Sequence, residues 1–98
     1  MKTQIAQTIL DQLGGGRFII MVGARNIMAT NDGLIMSLRR NKIGASHLQI
    51  SLLSNDTYKM EFIVVRNFER KTKKEITGLY CDQLIPIFER ETGYYTSL

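Results

Sequence analysis

The sequence predicts an α+β domain in which a four-stranded, largely antiparallel sheet is packed on one face by an N-terminal and a C-terminal helix. Three observations predict this fold. Apolar residues recur at helical spacing near the N-terminus, central stretches alternate apolar with polar residues, and helical spacing returns near the C-terminus. The 98 residues suit a single domain, 1–98, with the element order α-β-β-β-β-α.

Composition and length exclude several classes of protein. Hydrophobic residues make up 44% and charged residues 22% of the chain, which is typical of globular domains and excludes a disordered or fibrous one. No apolar run approaches the ~18–20 residues of a membrane-spanning helix, so we expect no contact with a membrane. The single cysteine cannot form an internal disulfide, and no export signal is recognisable, which predicts an intracellular protein.

The first helix is predicted over residues 3–13. Ile5, Ile9 and Leu13 follow one another at intervals of four, so they form a single apolar stripe along the helix. Three glycines at 14–16 then end the helix, because glycine tolerates the left-handed conformation of a helix C-terminus.

The segment 17–24 is continuously apolar after its first residue, which predicts a buried strand. Residues 25–30 are compatible both with a short helical turn and with the frayed end of that strand. Asn-Asp-Gly at 31–33 then predicts a turn, since these residue types favour turn conformations.

Three alternating stretches, at 34–39, 47–52 and 57–64, predict antiparallel strands with one buried and one solvated face. A looser hairpin loop at 40–46 and a short one at 54–56 connect them. The solvated face is predicted to carry Arg39, His47, Gln49, Ser51, Lys59 and Glu61.

Towards the C-terminus, residues 67–74 show no apolar period and predict an exposed loop or a ragged strand end. Residues 76–80 fit a short strand or a lead-in to the last helix. That helix is predicted over 82–91, with Asp82 as its N-cap and Gly93 as its end.

The net charge of +4 is unevenly distributed. Residues 17–74 hold eleven Lys and Arg against four Asp and Glu, a net +7, whereas residues 75–98 have a net charge of −3. Such a distribution attracts an oppositely charged partner, although the same charges can serve only to keep loops soluble. Seven cations form two clusters that are the predicted partner-binding residues: Arg39, Arg40 and Lys42, and Arg70, Lys71, Lys73 and Lys74.

No set of residues predicts catalysis, a metal site or a cofactor. His47 and Cys81 are single residues of their types and carry no flanking catalytic or zinc-binding signature. Glu89 and Glu91 are two apart on a predicted helix and so point to different sides. The glycines of 14–16 follow a helix, which is the reverse of the order in a phosphate-binding loop. We therefore expect a non-enzymatic protein without a cofactor.

Three segments carry a resemblance to a known group of proteins: L-G-G-G-R-F-I-I-M-V-G-A-R-N at 13–26, N-D-T-Y-K-M-E-F at 55–62, and Y-C-D-Q-L-I-P-I-F-E-R-E-T-G-Y-Y-T-S-L at 80–98. The chain resembles a family of small, uncharacterised proteins of bacteriophages and mobile elements. The resemblance implies an accessory protein in the cytoplasm of the bacterial host that binds host or phage machinery. Inhibitors of restriction or of CRISPR systems belong to this class.

Two functions follow as expectations. The first is an interaction protein that binds a host protein or nucleoprotein complex, as an anti-defence inhibitor does, through its basic loops and polar sheet face. The alternative is a small basic accessory protein that binds DNA or RNA directly through phosphate contacts. Homodimerisation through an exposed edge strand is open as well.

Overall fold

The computed structural model describes residues 2–93, which form an α+β fold with a five-stranded antiparallel sheet. The order is α-α-β-β-β-β-β-α, so the predicted four strands and the predicted order are wrong. The helices are α1 (Lys2–Leu13), α2 (Gly16–Val22) and α3 (Leu84–Thr92), and a 3₁₀ turn (Cys81–Gln83) precedes α3. The strands are β1 (Arg25–Ala29), β2 (Gly33–Ser37), β3 (His47–Leu52), β4 (Tyr58–Arg66) and β5 (Glu69–Leu79). In this part of the chain, no helix has the length and apolar character needed to cross a membrane.

The segment predicted as the first strand, 17–24, is mostly helix α2. Phe18 and Val22 are buried four residues apart, while Ile20 between them is 80% exposed. An apolar run therefore supplies one buried helical face here, and the remaining apolar side chains face outward. Gly23 ends the helix in the left-handed conformation, with φ +66°.

The sheet contains strands at both ends that the sequence did not clearly predict. The ambiguous segment 25–30 is mainly strand β1, and most of the predicted loop 67–74 belongs to the long strand β5. The sheet order is β1-β2-β3-β4-β5, so these two strands form its edges. Charged side chains suit an edge strand because they oppose pairing with other molecules, which explains why β5 lacks an apolar period.

The three alternating stretches form β2, β3 and β4, as predicted. Most of their buried side chains point to the face of the sheet that the helices cover, here called the helix face. Ser51 and Ile63 are buried on the opposite one, here called the outer face. The core on the helix face joins α1, α2 and α3 to these strands, and its fully buried members include Ile9, Phe18, Leu34, Met36, Leu48, Ile50, Met60, Phe62, Leu84 and Phe88.

The last helix begins later than predicted. Asp82 lies in the 3₁₀ turn, and Gln83 occupies the N-cap position of α3. Gly93 ends α3 with φ +78°, as predicted. The rings of Phe18 and Phe88 pack edge to face with centroids 5.1 Å apart, which joins α2 to α3.

Gly33 allows β2 and β3 to approach each other closely. It pairs with Ser51, and a Cβ at Gly33 would lie 2.9 Å from the Ser51 Cα and closer still to the Ile50 carbonyl oxygen. These are backbone atoms, which cannot move aside without breaking the ladder between the two strands. The central pairing of the sheet therefore requires glycine at this position.

Gly33→Ala is expected to lower the free energy of unfolding by at least about 3 kcal/mol, because the added methyl group forces the strands apart. The measurement is urea denaturation followed by circular dichroism. Gly16→Ala is the matched control, since no atom lies within 4 Å of a Cβ there. This change should be neutral or stabilise by up to about 1 kcal/mol. Equal stability of the two variants would contradict the proposed role of Gly33.

Candidate functional site

Strand β5 contains a β-bulge at Lys73. Phe62 pairs with Lys74, whereas Ile63, the next residue of β4, pairs with Thr72. Lys73 is thus an extra residue without a partner on β4. A bulge bends its strand and shifts the alternation of side chains between the two faces. Between the turn and the bulge, each residue of β5 therefore points to the face opposite to the one it would take in a regular ladder.

This reversal brings Lys71 to the helix face of the β4–β5 hairpin. Lys71 pairs with Val64, and paired residues of antiparallel strands point to the same face. Arg66 lies two residues after Val64 and therefore shares that face. Arg70 pairs with Val65 and points to the outer face. The bulge thus separates Arg70 from Lys71 and places Lys71 beside Arg66.

A cleft of about 530 Å³ lies against this side of the hairpin and is lined by Val64, Arg66, Glu69, Lys71, Thr72 and Lys73. A second cleft of about 370 Å³ shares Val64 and Arg66 with the first and extends to the loop between β2 and β3, where Arg40, Asn41, Gly44 and Ser46 line it. We call the combined surface of Arg40, Arg66, Glu69, Lys71 and Lys73 the basic cleft.

The loop between β2 and β3 is fixed against the β4–β5 hairpin by direct contacts. The Ser46 hydroxyl donates to the Ile63 carbonyl oxygen at 3.2 Å and accepts from the Val65 N–H at 2.9 Å. The Lys73 ammonium lies 3.3 Å from the position that a Cβ on Gly44 would take. Two cationic segments that are separate in the sequence are therefore adjacent in the fold.

Asn41 gives this loop its shape. Its side-chain amide donates to the carbonyl oxygens of Ala45 and Arg39 at 2.7 and 2.9 Å, and its Oδ1 accepts from the Ala45 N–H at 3.1 Å. Three hydrogen bonds from one side chain hold the loop closed on itself. Arg40 therefore projects from a constrained backbone.

The cations of the basic cleft are not engaged in ion pairs with the side chains that the structure describes. Among residues 4–93, Arg40, Arg66, Lys71 and Lys73 form no hydrogen bond or ion pair through their side chains. Glu69 is the one carboxylate among the described residues that line the cleft. Four positive groups against one negative group create a positive potential, which attracts anions to the cleft.

Arg39 and Lys42, although predicted as site residues, contact helix ends. The Arg39 side chain lies over Gly23, where a Cβ would be 2.7 Å from its Cδ. The side chain of Lys42 lies beside Gly93, and the backbone N–H of Lys42 donates to the Thr92 carbonyl oxygen at 3.0 Å. Cations near helix C-termini interact favourably with the helix dipole, and both residues lie where such an interaction is available.

Lys74 and Arg70 also have partners within the protein. The Lys74 ammonium donates to a Glu91 carboxylate oxygen at 2.9 Å and so connects β5 to α3. The Arg70 guanidinium donates to the Gln49 side-chain oxygen on the outer face. Because the register places Arg70 opposite Val65, several residues beyond the level of Gln49, the hairpin must bend over this face.

The outer face carries most of the predicted polar side chains. Lys59 lies 3.4 Å from Glu61 and 4.0 Å from Glu75, so the charges on this face largely neutralise one another. His47 and Gln49 point to the same face, as the register requires. This group of charges therefore gives the outer face no excess of positive charge.

The sequence analysis missed Arg66 and Phe68, which lie on either side of Asn67. Asn67 and Phe68 form the two-residue turn between β4 and β5, here called the hairpin tip, with φ of +51° and +64°. Positive φ at both positions defines a type I′ turn, in which glycine is preferred at the second. The Phe68 ring is fully exposed. A signal was present, since a two-residue turn that contains asparagine is compatible with a hairpin.

No protein-family model matches this chain, and no match was found among curated proteins or solved structures. Within residues 2–93, no cluster of three or more His, Cys, Asp or Glu side chains could hold a metal ion. Geometry and charge are consequently what define the site.

Phe68→Gly is expected to raise the free energy of unfolding by about 0.5–1 kcal/mol, because glycine adopts positive φ without strain and the exposed ring contributes no packing. Phe68→Val should lower it by about 1 kcal/mol, since a branched side chain is poorly tolerated there. Thermal denaturation of both variants measures the difference. Equal stability of the two variants would show that the turn relaxes.

The pKa of Glu91 lies below its usual value of 4.5, chiefly because Lys74 donates a hydrogen bond to the carboxylate; burial opposes this effect and Arg90 adds to it. A lowered pKa in the folded state stabilises the protein above about pH 4.5, and this contribution is lost as the pH falls through the folded-state pKa. Glu91→Gln should therefore reduce stability at neutral pH, by at most about 1 kcal/mol because Lys74 is half exposed.

Denaturation of the wild type and of Glu91→Gln from pH 7 to pH 3 measures this contribution. The difference between them should shrink on acidification and on addition of salt. Glu69→Gln is the control, since the Glu69 carboxylate forms no ion pair with a described side chain. A difference that is independent of pH would contradict the assignment.

Proposed function

We propose that the protein is a non-enzymatic binding protein whose basic cleft contacts the phosphate groups of nucleic acid. The convergence of Arg40, Arg66, Lys71 and Lys73 in one open cleft, without paired carboxylates among the described residues, is the observation that carries this proposal. The guanidinium group of arginine and the ammonium group of lysine are common phosphate-binding groups in proteins.

The distribution of the charges favours a polyanion over a small ligand. The cations lie along two strands and a neighbouring loop, and the two parts of the cleft are continuous through Val64 and Arg66. A single phosphate could contact only part of this surface. A nucleic-acid backbone offers a row of charges, and binding it releases counterions, which strengthens association.

A protein partner is the second candidate function, and the exposed apolar side chains of the hairpin favour it. Phe68 is fully exposed and Val65 is 45% exposed, and apolar residues beside cations are typical of protein interfaces. In this case the hairpin would occupy an acidic or nucleic-acid-binding surface of a host complex in the bacterial cytoplasm. Inhibition of a host defence system is the form that the resemblance to phage proteins implies.

Replacing Arg40 and Arg66 together by Gln is expected to weaken binding to a fluorescent oligodeoxythymidylate by at least about tenfold, because phosphate contacts are lost. Fluorescence anisotropy over a series of salt concentrations measures the affinity. Four phosphate contacts with a single strand predict a slope of log K against log salt of about −3, and two lost contacts make it shallower by about 1.4.

Replacing Arg17 and Arg25 together by Gln is the matched control. It removes the same residue type and the same charge, but from α2 and from β1, at the opposite edge of the sheet from β5. Binding should remain close to that of the wild type. Equal losses of affinity in the two double variants would mean that binding depends on net charge and not on the cleft. Absent or salt-independent binding by the wild type would refute the proposed function.

A further inference from the structure

Phe68 is unfavourable in the free protein for two independent reasons. Its ring is fully exposed to water, and its backbone has φ +64°, in the left-handed region that bulky residues rarely adopt. Phe68 is not part of the hydrophobic core and does not belong to the partly buried residues packed against it. Strained residues of this kind concentrate at functional sites, where a ligand makes use of them.

The hairpin tip holds the ring in a defined position. Arg66 pairs with Glu69 immediately next to the turn, so only two residues connect the strands. A turn of this length has few conformations, and the strands beside it continue into the sheet. The aromatic ring is thereby presented at the end of the hairpin without a flexible linker.

Cations flank the ring on both faces of the hairpin. Arg66 precedes the turn and points into the basic cleft, whereas Arg70 follows it and points to the outer face. A nucleic-acid strand lying in the cleft would pass Arg66 directly before it reaches the tip. The base attached to the strand at that point is then adjacent to the Phe68 ring.

We infer that Phe68 stacks on an unpaired base of a single-stranded nucleic acid whose phosphates lie in the basic cleft. This inference rests on the proposed function and names its substrate class. The bases of a single strand are accessible without the free-energy cost of opening base pairs. Stacking of bases on aromatic side chains is a general mode of binding single strands. Insertion into a duplex requires that base pairs be unstacked first, which costs free energy.

The other exposed apolar side chains do not extend the tip into a broad apolar surface. Ile20 lies in α2, Met28 in the edge strand β1, and Tyr80 directly after β5. Val65 alone lies near the tip, and it is only 45% exposed. A large contiguous apolar patch would instead have indicated a protein partner. An exposed aromatic ring with one arginine on each face of its hairpin matches the needs of a base and its phosphates.

The test compares Phe68→Leu and Phe68→Trp in binding to a single-stranded oligodeoxythymidylate and to a mixed-sequence duplex. Phe68→Leu keeps an apolar side chain but loses the aromatic face, so affinity for the single strand should fall by about 5- to 100-fold. The salt dependence should stay unchanged, because no phosphate contact is removed. Phe68→Trp should retain the affinity of the wild type.

Phe68→Trp adds a second readout. The chain contains no tryptophan, so the introduced indole is the sole source of tryptophan fluorescence, which stacking on a base should quench. Tyr80→Leu is the control for loss of an exposed aromatic ring, because the length of β5, roughly 30 Å, separates Tyr80 from the tip. Its affinity should equal that of the wild type.

The possible failures are distinguishable. Salt-dependent binding by the wild type that Phe68→Leu leaves unaltered would overturn the stacking role while the proposed function stands. A loss of duplex affinity alone would mean that the ring inserts between base pairs, which also overturns this inference. No binding of either nucleic acid by the wild type would remove both proposals, and a protein partner would then be the candidate to pursue.

Discussion

The register of β5 against β4 is the constraint on which the arrangement of the site depends. One extra residue, Lys73, changes the faces to which the residues between it and the turn point. With a regular ladder, Lys71 would project from the outer face, and Arg70 would take its place beside Arg66. The bulge instead sends Lys71 to the same side as Arg66 and leaves Arg70 to bond with Gln49 across the outer face. A feature of the backbone therefore decides which of the neighbouring charges act together.

The cations of the same hairpin differ in whether they form an ion pair within the protein. Lys74 on the helix face is held by Glu91 of α3, and this ion pair connects the edge strand to the helical layer. The cations closer to the tip form no ion pair with a carboxylate of the described residues. Charges of one sign in a shared cleft repel one another, which slightly destabilises the free protein. Binding of an anion relieves this repulsion, so the cost in the free state favours the bound state.

Sequence patterns predicted the parts of the fold in which local and tertiary preferences agree. The apolar stripe of α1 and the alternation in β2, β3 and β4 each reflect one buried face, and the glycine after α3 ends that helix as expected. The pattern failed for 17–24, because a run of apolar residues does not show which of them face solvent; the exposed Ile20 is explained only by the helix. It failed for β5 because an edge strand with charges on both faces has no apolar period.

The sequence predicted which cationic clusters could bind a partner, but not which of their residues share one surface. Both cationic clusters were recognised, yet of the seven residues only Arg40, Lys71 and Lys73 line the cleft. Their selection depends on a bulge, on the contacts of Ser46 with β4 and on partners supplied by distant elements, none of which a single sequence displays. Phe68 was missed for a different reason. A phenylalanine where a type I′ turn prefers glycine conflicts with local preference, and conflicts of this kind are expected where function rather than folding has selected the residue.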